Sequence, residues 1–341
     1  MTKKIDLMLS GDQKLDIVNS MSLALTDFAK AMDQLLPDLV LVLGDRFEIL
    51  MAASAAMITG KPIAHIHGGE VTSGAFDDSI RHSITKMSHL HFVSTNSYQA
   101  RVVQLGEHPS TVFDVGSLGV EGLNNLDLLD KRALEETIGF RLEKNNFLVT
   151  YHPVTIDKDY EMKNIANLFQ AIKEVKNAKF IFTLPNSDPG NLEISMMIKS
   201  FCSQNQSSEH FDSLGQFLYL SCMRHMSGVI GNSSSGIIEA PSFKIGTINI
   251  GNRQQGREFP PSVLHCKMNK MQIKKAIKEI VSDDFQRKIE NIKNPYDHGD
   301  TSTKIVEILT KHKNNFDILM HKNFYDLSDN MVNQNEHSSE K

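Results

Sequence analysis

Cysteine is scarce in this 341-residue chain. Its three cysteines, Cys202, Cys222 and Cys266, are odd in number and have no C-x-x-C spacing. That argues against a disulfide framework or a zinc site and makes a reduced, cytoplasmic setting the default. Long apolar runs are missing too: none approaches the roughly 18 residues of a membrane span, and Met1-Thr2-Lys3-Lys4 leads into no signal-type apolar core. Neither export nor a membrane partner is expected. The formal net charge is −5 and the basic residues are not gathered into blocks, so a nucleic-acid partner is disfavoured and anionic ligands are left to local sites. No internal repeat is found. Apolar residues make up 40% of the chain, enough over this length to build the cores of two ordinary domains.

From Asp38 onward, short β-rich runs alternate with helix-period segments. Candidate strands are Leu39 to Leu43, Pro62 to Ile66, Leu90 to Ser94, Val112 to Val115, Phe147 to Tyr151, Phe180 to Leu184, Val229 to Ile230, Ile245 to Ile250 and Val263 to Cys266. Helices run from Phe47 to Thr59 and from near Ala75. This is the α/β rhythm of a doubly wound parallel architecture, and Leu-Val-Leu-Val-Leu at residues 39–43 predicts burial on both faces. Residues 1–36 offer only a polar lead-in and one helix. Between Asn124 and Asn146 a polar helix, Lys131 to Thr137, and an exposed link, Arg141 to Asn145, separate two α/β blocks. Ligands belong between the blocks, beyond the carboxyl ends of the strands. After Lys313 the strand signals fade. Phe316 to Met320 and Phe324 suggest one short amphipathic helix, and Met331 to Lys341 reads as a disordered tail.

The densest chemistry follows strand ends. Gly231-Asn232-Ser233-Ser234-Ser235-Gly236, before Ile237-Ile238 and Glu239, reads as a strand, a small-residue turn and the start of a helix. That combination binds phosphate through exposed N–H groups and the helix dipole, unless the serines are plain caps. Arg253, after the next strand, adds a positive charge. Gly44-Asp45-Arg46 sets a carboxylate and a guanidinium at the first strand's end, where a minor surface ion pair is the plain alternative. His65-Ile66-His67-Gly68-Gly69-Glu70 ends the next strand, with His65 and His67 on one face by strand alternation. Two histidines and a glutamate invite a metal, but a third well-placed ligand is missing and the Gly-Gly is flexible, so a polar ligand pocket is favoured. Asp77 and Asp78 suit the N-terminus of the following helix whatever their function. On that helix Ser79, His82, Ser83 and Lys86 form a polar face, while Ile80, Ile84 and Met87 can pack inward. His152, in Tyr151-His152-Pro153, stands at another strand end, suited to proton transfer across a cleft. Carboxylates, histidines and arginines after successive strand ends are the pattern of an acid/base site.

The segments GDRFE, HIHGGE, DDSIRHSITKMSHLHF, HP, GNSSSGIIE and NIGNRQQGR, in this order over roughly residues 10 to 310, resemble the hydrolysing nucleotide-sugar 2-epimerases of sialic-acid and legionaminic-acid biosynthesis. The resemblance implies an α/β, GT-B-like fold of two Rossmann-like domains facing a cleft. The expected division is 1–125, 126–295, C-terminal helices at 296–328 packing back on the first domain, and a disordered tail at 329–341. A nucleotide-sugar substrate, a homodimer or homotetramer, and neither metal nor other cofactor are implied. By motif, Asp45 and Arg46 match the family's active-site Asp-Arg, Asp77 and Asp78 its acidic pair, and His152 the histidine of its H-P motif. Ser233 and Ser234 would contact the diphosphate, Glu239 the ribose and Arg253 the phosphates, with His65, His67, Glu70 and Arg81 also on the substrate. His67 stands where animal-type members resemble H-I-E-G-G-E, although bacterial relatives carry histidine there. The family's opening strand and G-[ST]-R-x-[ED]-Y loop find no match, Met1 aligning within the third strand region. The first domain is therefore expected to be incomplete, and the chain as given poorly soluble or nearly inactive.

The implied reaction turns UDP-N-acetylglucosamine into N-acetylmannosamine and UDP, or acts likewise on UDP- or GDP-linked N,N'-diacetylbacillosamine. The carbon-2 hydrogen of such a sugar is not acidic, so the diphosphate must leave carbon 1 before or together with it, giving a glycal to which water adds. Asp77, Asp78 or His152 could be the base, and the sequence does not choose. Asp45 is expected to stabilise the sugar and to handle a proton or water in the second step. Two rival readings share the fold: a GT-B glycosyltransferase passing the sugar to an acceptor, and a binder without turnover.

Overall fold

The computed structural model describes residues 3–6, 14–73, 76–124, 126–152, 158–185 and 191–327. Among them ten strands form two all-parallel sheets. The first pairs β1 (Val40–Leu43), β2 (Ile63–Ile66), β3 (Leu90–Val93) and β4 (Val112–Asp114) in that order. The second contains β5 (Asn145–Thr150), β6 (Ala178–Thr183), β7 (Ser208–Phe211), β8 (Gly228–Gly231), β9 (Gly246–Ile250) and β10 (Val263–Cys266), ordered β10-β9-β8-β5-β6-β7. Strand order reverses between β5 and β8, and such a reversal opens a crevice at the strands' carboxyl ends. His152 follows β5 and the serine turn follows β8, so both stand at that crevice.

Side-chain alternation explains why helices cover both faces of the second sheet. Along β5, Phe147 and Val149 join one core with Phe180, Phe182, Phe201 and Ile277. Leu148, between them, joins the other with Ile181, Leu134, Met223 and Val229. In the first sheet, Val42 and Ile63 pack on Ala53, Ala56 and Ile84. The opposite face, Ala64, Ile66, Phe92 and Val115, is covered by Ile305, Ile308, Leu309, Phe316 and Leu319, which return from the end of the chain. Thr301 Oγ1 donates to Val115 O at 2.9 Å at the start of this return.

Three details differ from the sequence expectation. β1 is not buried on both faces: Leu41 is 47% and Leu43 51% exposed, because β1 is the sheet's edge. β7 carries no apolar run in Ser-Glu-His-Phe and was not expected as a strand; among the described residues it pairs only with β6, at the other sheet's edge. Leu142, within the supposedly exposed link, is buried in the second core. The helix start near Ala75, Pro153 and the tail from Met331 lie outside the described residues. No helix among the described residues is long and apolar enough to cross a membrane.

Candidate functional site

Two cavities meet at the serine turn. The larger, about 420 Å³, lies between the sheets, walled from the first block by Asp45, His67, Glu70 and Arg81 and from the second by Ser234, Glu239 and Arg257. The other, about 390 Å³, is lined by Thr150, His152, Tyr219, Ser233 and Ser235. Gln216 lines both.

The turn exists because Gly231 takes φ 139°, where a Cβ would lie 1.9 Å from Thr150 O. Asn232 then clamps β5 to β8: its Oδ1 accepts from His152 N at 2.7 Å and its Nδ2 donates to His152 O at 2.8 Å. The expected helix is short. Ser235–Ile238 makes one turn and passes into a 3-10 turn at Ala240–Phe243, since Pro241 has no N–H to continue it. Ser234 makes no side-chain cap bond. Any grip on phosphate therefore falls to individual N–H and hydroxyl groups of the turn, with only one turn of helix dipole behind them.

The loop after β9 is tied to this turn and to the first block. Arg253 Nη1 and Gln254 Nε2 donate to Asn232 O at 3.1 and 2.7 Å. Four residues beyond Arg253, buried Arg257 crosses the cleft, donating to Glu70 Oε2 at 2.6 Å and to Val71 O at 2.9 Å. Ser97 Oγ donates to Glu258 at 2.7 Å, and Arg101 reaches Gly69 O and Gly256 O.

His65 and His67 do not share a face. β2 ends at Ile66, and His67 turns into the left-handed region at φ 67°, which is uncommon for a residue with a Cβ. His65 is fully buried, its Nε2 bonded to Gly44 O at 2.9 Å and its Nδ1 to Thr85 Oγ1 at 3.2 Å. Burial lowers its pKa to about 3, so it is a neutral framework residue away from the cavity. His67 lines the cavity, with Nδ1 2.8 Å from Glu70 Oε1. Burial would raise the Glu70 pKa, but Arg257 and His67 hold the carboxyl well below its usual range.

Asp45 pairs with Arg81, and its neighbour Arg46 reaches Glu48 at 3.1 Å. Arg81 also donates to Thr72 Oγ1 at 3.1 Å. Asp77 and Asp78 begin the helix Phe76–Met87. Asp78 accepts from Thr72 N at 2.8 Å, and neither aspartate lines either cavity. That helix buries Ile84 and partly buries Ile80 and Met87, as its spacing predicts. His152 is buried, its Nδ1 without a hydrogen-bond partner among the described residues, and burial takes its pKa to about 3. Glu239 is buried with Oε2 likewise unpartnered, and burial pushes it up to about 7. Among the described residues no group of three or more histidine, cysteine or carboxylate side chains is placed to hold a metal ion.

Residues 1–310 match the UDP-N-acetylglucosamine 2-epimerase family. The chain belongs to this family. The chain is 43% identical over 327 residues to the GDP/UDP-N,N'-diacetylbacillosamine 2-epimerase (hydrolyzing) of Campylobacter jejuni subsp. jejuni serotype O:2, covering 96% of this chain and 84% of that one. It is 39% identical to the polysialic acid biosynthesis protein P7 of Escherichia coli, covering 95% and 83%. In fold it resembles the Methanocaldococcus jannaschii UDP-GlcNAc 2-epimerase solved with UDP-GlcNAc and UDP, at TM-score 0.75 and 20% identity, covering 86% of this chain and 82% of that chain. The architecture is GT-B-like, and the family's reaction class is nucleotide-sugar 2-epimerisation. Sequence reasoning missed three polar side chains that line this cavity, Ser117, Gln216 and Arg257. Arg257 stood inside the quoted NIGNRQQGR segment, where its spacing from Arg253 was the available signal.

Proposed function

We propose that this chain hydrolyses a nucleoside-diphosphate 2-acetamido sugar with inversion at carbon 2, releasing the free 2-epimer and the nucleoside diphosphate. The observation that carries this reading is the pair of cavities meeting at the serine turn. A ligand with a diphosphate at its middle spans such a site, and Asp45 and His67 line the cavity between the blocks. Loss of the diphosphate from carbon 1 leaves an oxocarbenium-like centre that acidifies the carbon-2 hydrogen. The Asp45 carboxylate suits that cation, while Ser233, Ser234 and Arg253 suit the departing diphosphate and Glu239 the ribose. The 43% identical relative favours N,N'-diacetylbacillosamine as the sugar, with N-acetylglucosamine as the second candidate. Cys202, Cys222 and Cys266 are free thiols, which suits a cytoplasmic setting.

The test is incubation with UDP- and GDP-N,N'-diacetylbacillosamine and with UDP-N-acetylglucosamine in heavy water, followed by proton NMR. A free 2-epimer carrying deuterium at carbon 2, with one equivalent of nucleoside diphosphate, is expected from one of them. Protium retained at carbon 2 rules out elimination. Sugar transferred to an added acceptor marks a glycosyltransferase, and affinity without turnover marks a binder.

A further inference from the structure

Resting on that reading, the cleft also identifies its base. Asp45, His67, Glu70 and Glu239 line the cavity between the blocks and His152 lines its neighbour, and most of these five groups are committed. Asp45 is paired with Arg81 and Glu70 with Arg257, and a carboxylate held by a guanidinium is a weak base. Glu239 is buried with its Oε2 unpartnered among the described residues, and burial favours its neutral acid. His152 belongs to the adjoining cavity, on the far side of the serine turn. His67 remains, at the cavity wall with 18% of its side chain exposed.

Its backbone sits at φ 67°, a conformation that persists only when the surroundings enforce it. Gly69 allows this by bringing the loop against Tyr98, at a place where a Cβ would lie 2.6 Å from Tyr98 O. Glu70 then accepts from His67 Nδ1, from Ser94 Oγ at 3.2 Å and from Arg257. A carboxylate so held only accepts, so the proton resides on Nδ1 and Nε2 keeps its lone pair for a ligand.

We propose that His67 takes the carbon-2 proton, and that Glu70, pinned from the opposite block by Arg257, is the positioning residue that fixes its ring. Nε2 gains the proton, and the C2–H electron pair becomes the C1=C2 double bond. The C1–O bond breaks and its pair leaves with the nucleoside diphosphate. Water then adds across the double bond, hydroxyl to carbon 1 and hydrogen to carbon 2, and the imidazolium returns its proton to solvent. The cross-cleft arginine makes the base competent only while the two blocks are docked.

The experiment compares kcat and KM of the wild type, His67→Ala, Glu70→Gln, the double variant and Arg257→Lys on whichever nucleotide sugar the wild type turns over. UDP affinity by calorimetry serves as the check on folding. His67→Ala is expected to lose on the order of 10²- to 10⁴-fold in kcat with UDP affinity kept. Glu70→Gln should lose at least about tenfold, the double variant no more than His67→Ala alone, and Arg257→Lys should lower kcat while keeping the charge. If Glu70→Gln does not fold, the same non-additivity is read from Arg257→Lys combined with His67→Ala. Multiplicative losses, or His67→Ala within tenfold of the wild type, overturn the assignment while leaving the function intact. A wild type that turns over none of the three nucleotide sugars overturns both.

Discussion

His65 has both ring nitrogens engaged inside the protein and no charge to spare for a ligand. Burial takes its imidazole down to about 3 in the folded protein, against 6.5 for an unperturbed histidine. Between those values the unfolded chain takes up a proton that the folded one refuses, so its contribution favours unfolding increasingly as pH falls below 6.5 and levels off near 3. From pH 6.5 to 5 this amounts to about 2 kcal/mol. Glu239, raised to about 7, acts in the opposite sense over the same interval, so the histidine's share is best read as a difference. In urea unfolding, His65→Gln should lose about 2 kcal/mol less than the wild type between pH 6.5 and 5. Parallel pH dependences in the two proteins would show that His65 titrates normally when folded.

At the level of strands and turns, the junction of β8 with the serine turn leaves least room for change. Gly231 combines a positive φ with backbone contact to Thr150, and no neighbouring side chain could move to relieve an added methyl. Gly231→Ala should destabilise the protein by about 3 kcal/mol or more, measured by urea unfolding. A shift below about 1 kcal/mol would mean that the strand end yields easily. Most of the strands were legible as short apolar runs because each packs into a core on at least one face. β7 escaped because an edge strand with a half-exposed Ser-Glu-His-Phe has no such periodicity. β1 was legible as a strand, but its exposure was not, since position within a sheet is a non-local property. In the site, Asp45, His67, Glu70, Ser234 and Glu239 were visible from their places after strand ends. The pairing of Glu70 with Arg257 joins residues 187 apart, and nothing in either local segment announces it. The turn that takes His67 out of strand alternation was equally invisible, because it is enforced by Tyr98 and Arg257 from elsewhere in the chain.

The molecule as a whole is laced by contacts that ignore chain order. Glu70 meets Arg257, Ser97 meets Glu258, and Tyr98 Oη lies 2.8 Å from Tyr296 Oη. The return segment adds Ile305, Ile308 and Leu309 to the core on one face of the first sheet, and Tyr325 N donates to Gly106 O at 2.9 Å. Lys322 reaches Glu107 at 2.9 Å, where Lys86 and His91 also bind. A chain stopped after Gly299 should uncover Ala64, Ile66, Phe92 and Val115, bind a hydrophobic dye and unfold over a broader range of urea than the longer chain. A truncated chain that unfolds in one sharp step and binds no dye would show that the first sheet completes its core without the return segment.

That same return segment sets a timetable for synthesis. The four strands of the first sheet leave the ribosome early, but the residues that cover one of its faces follow about 200 positions later, which at ordinary elongation rates is a delay of about 10 to 40 seconds. For that interval the nascent chain carries a finished sheet with an uncovered apolar side, and the second block has time to fold first. The first-sheet block is therefore made before the second and completed after it, and of the two it is the one more in need of a chaperone while it waits.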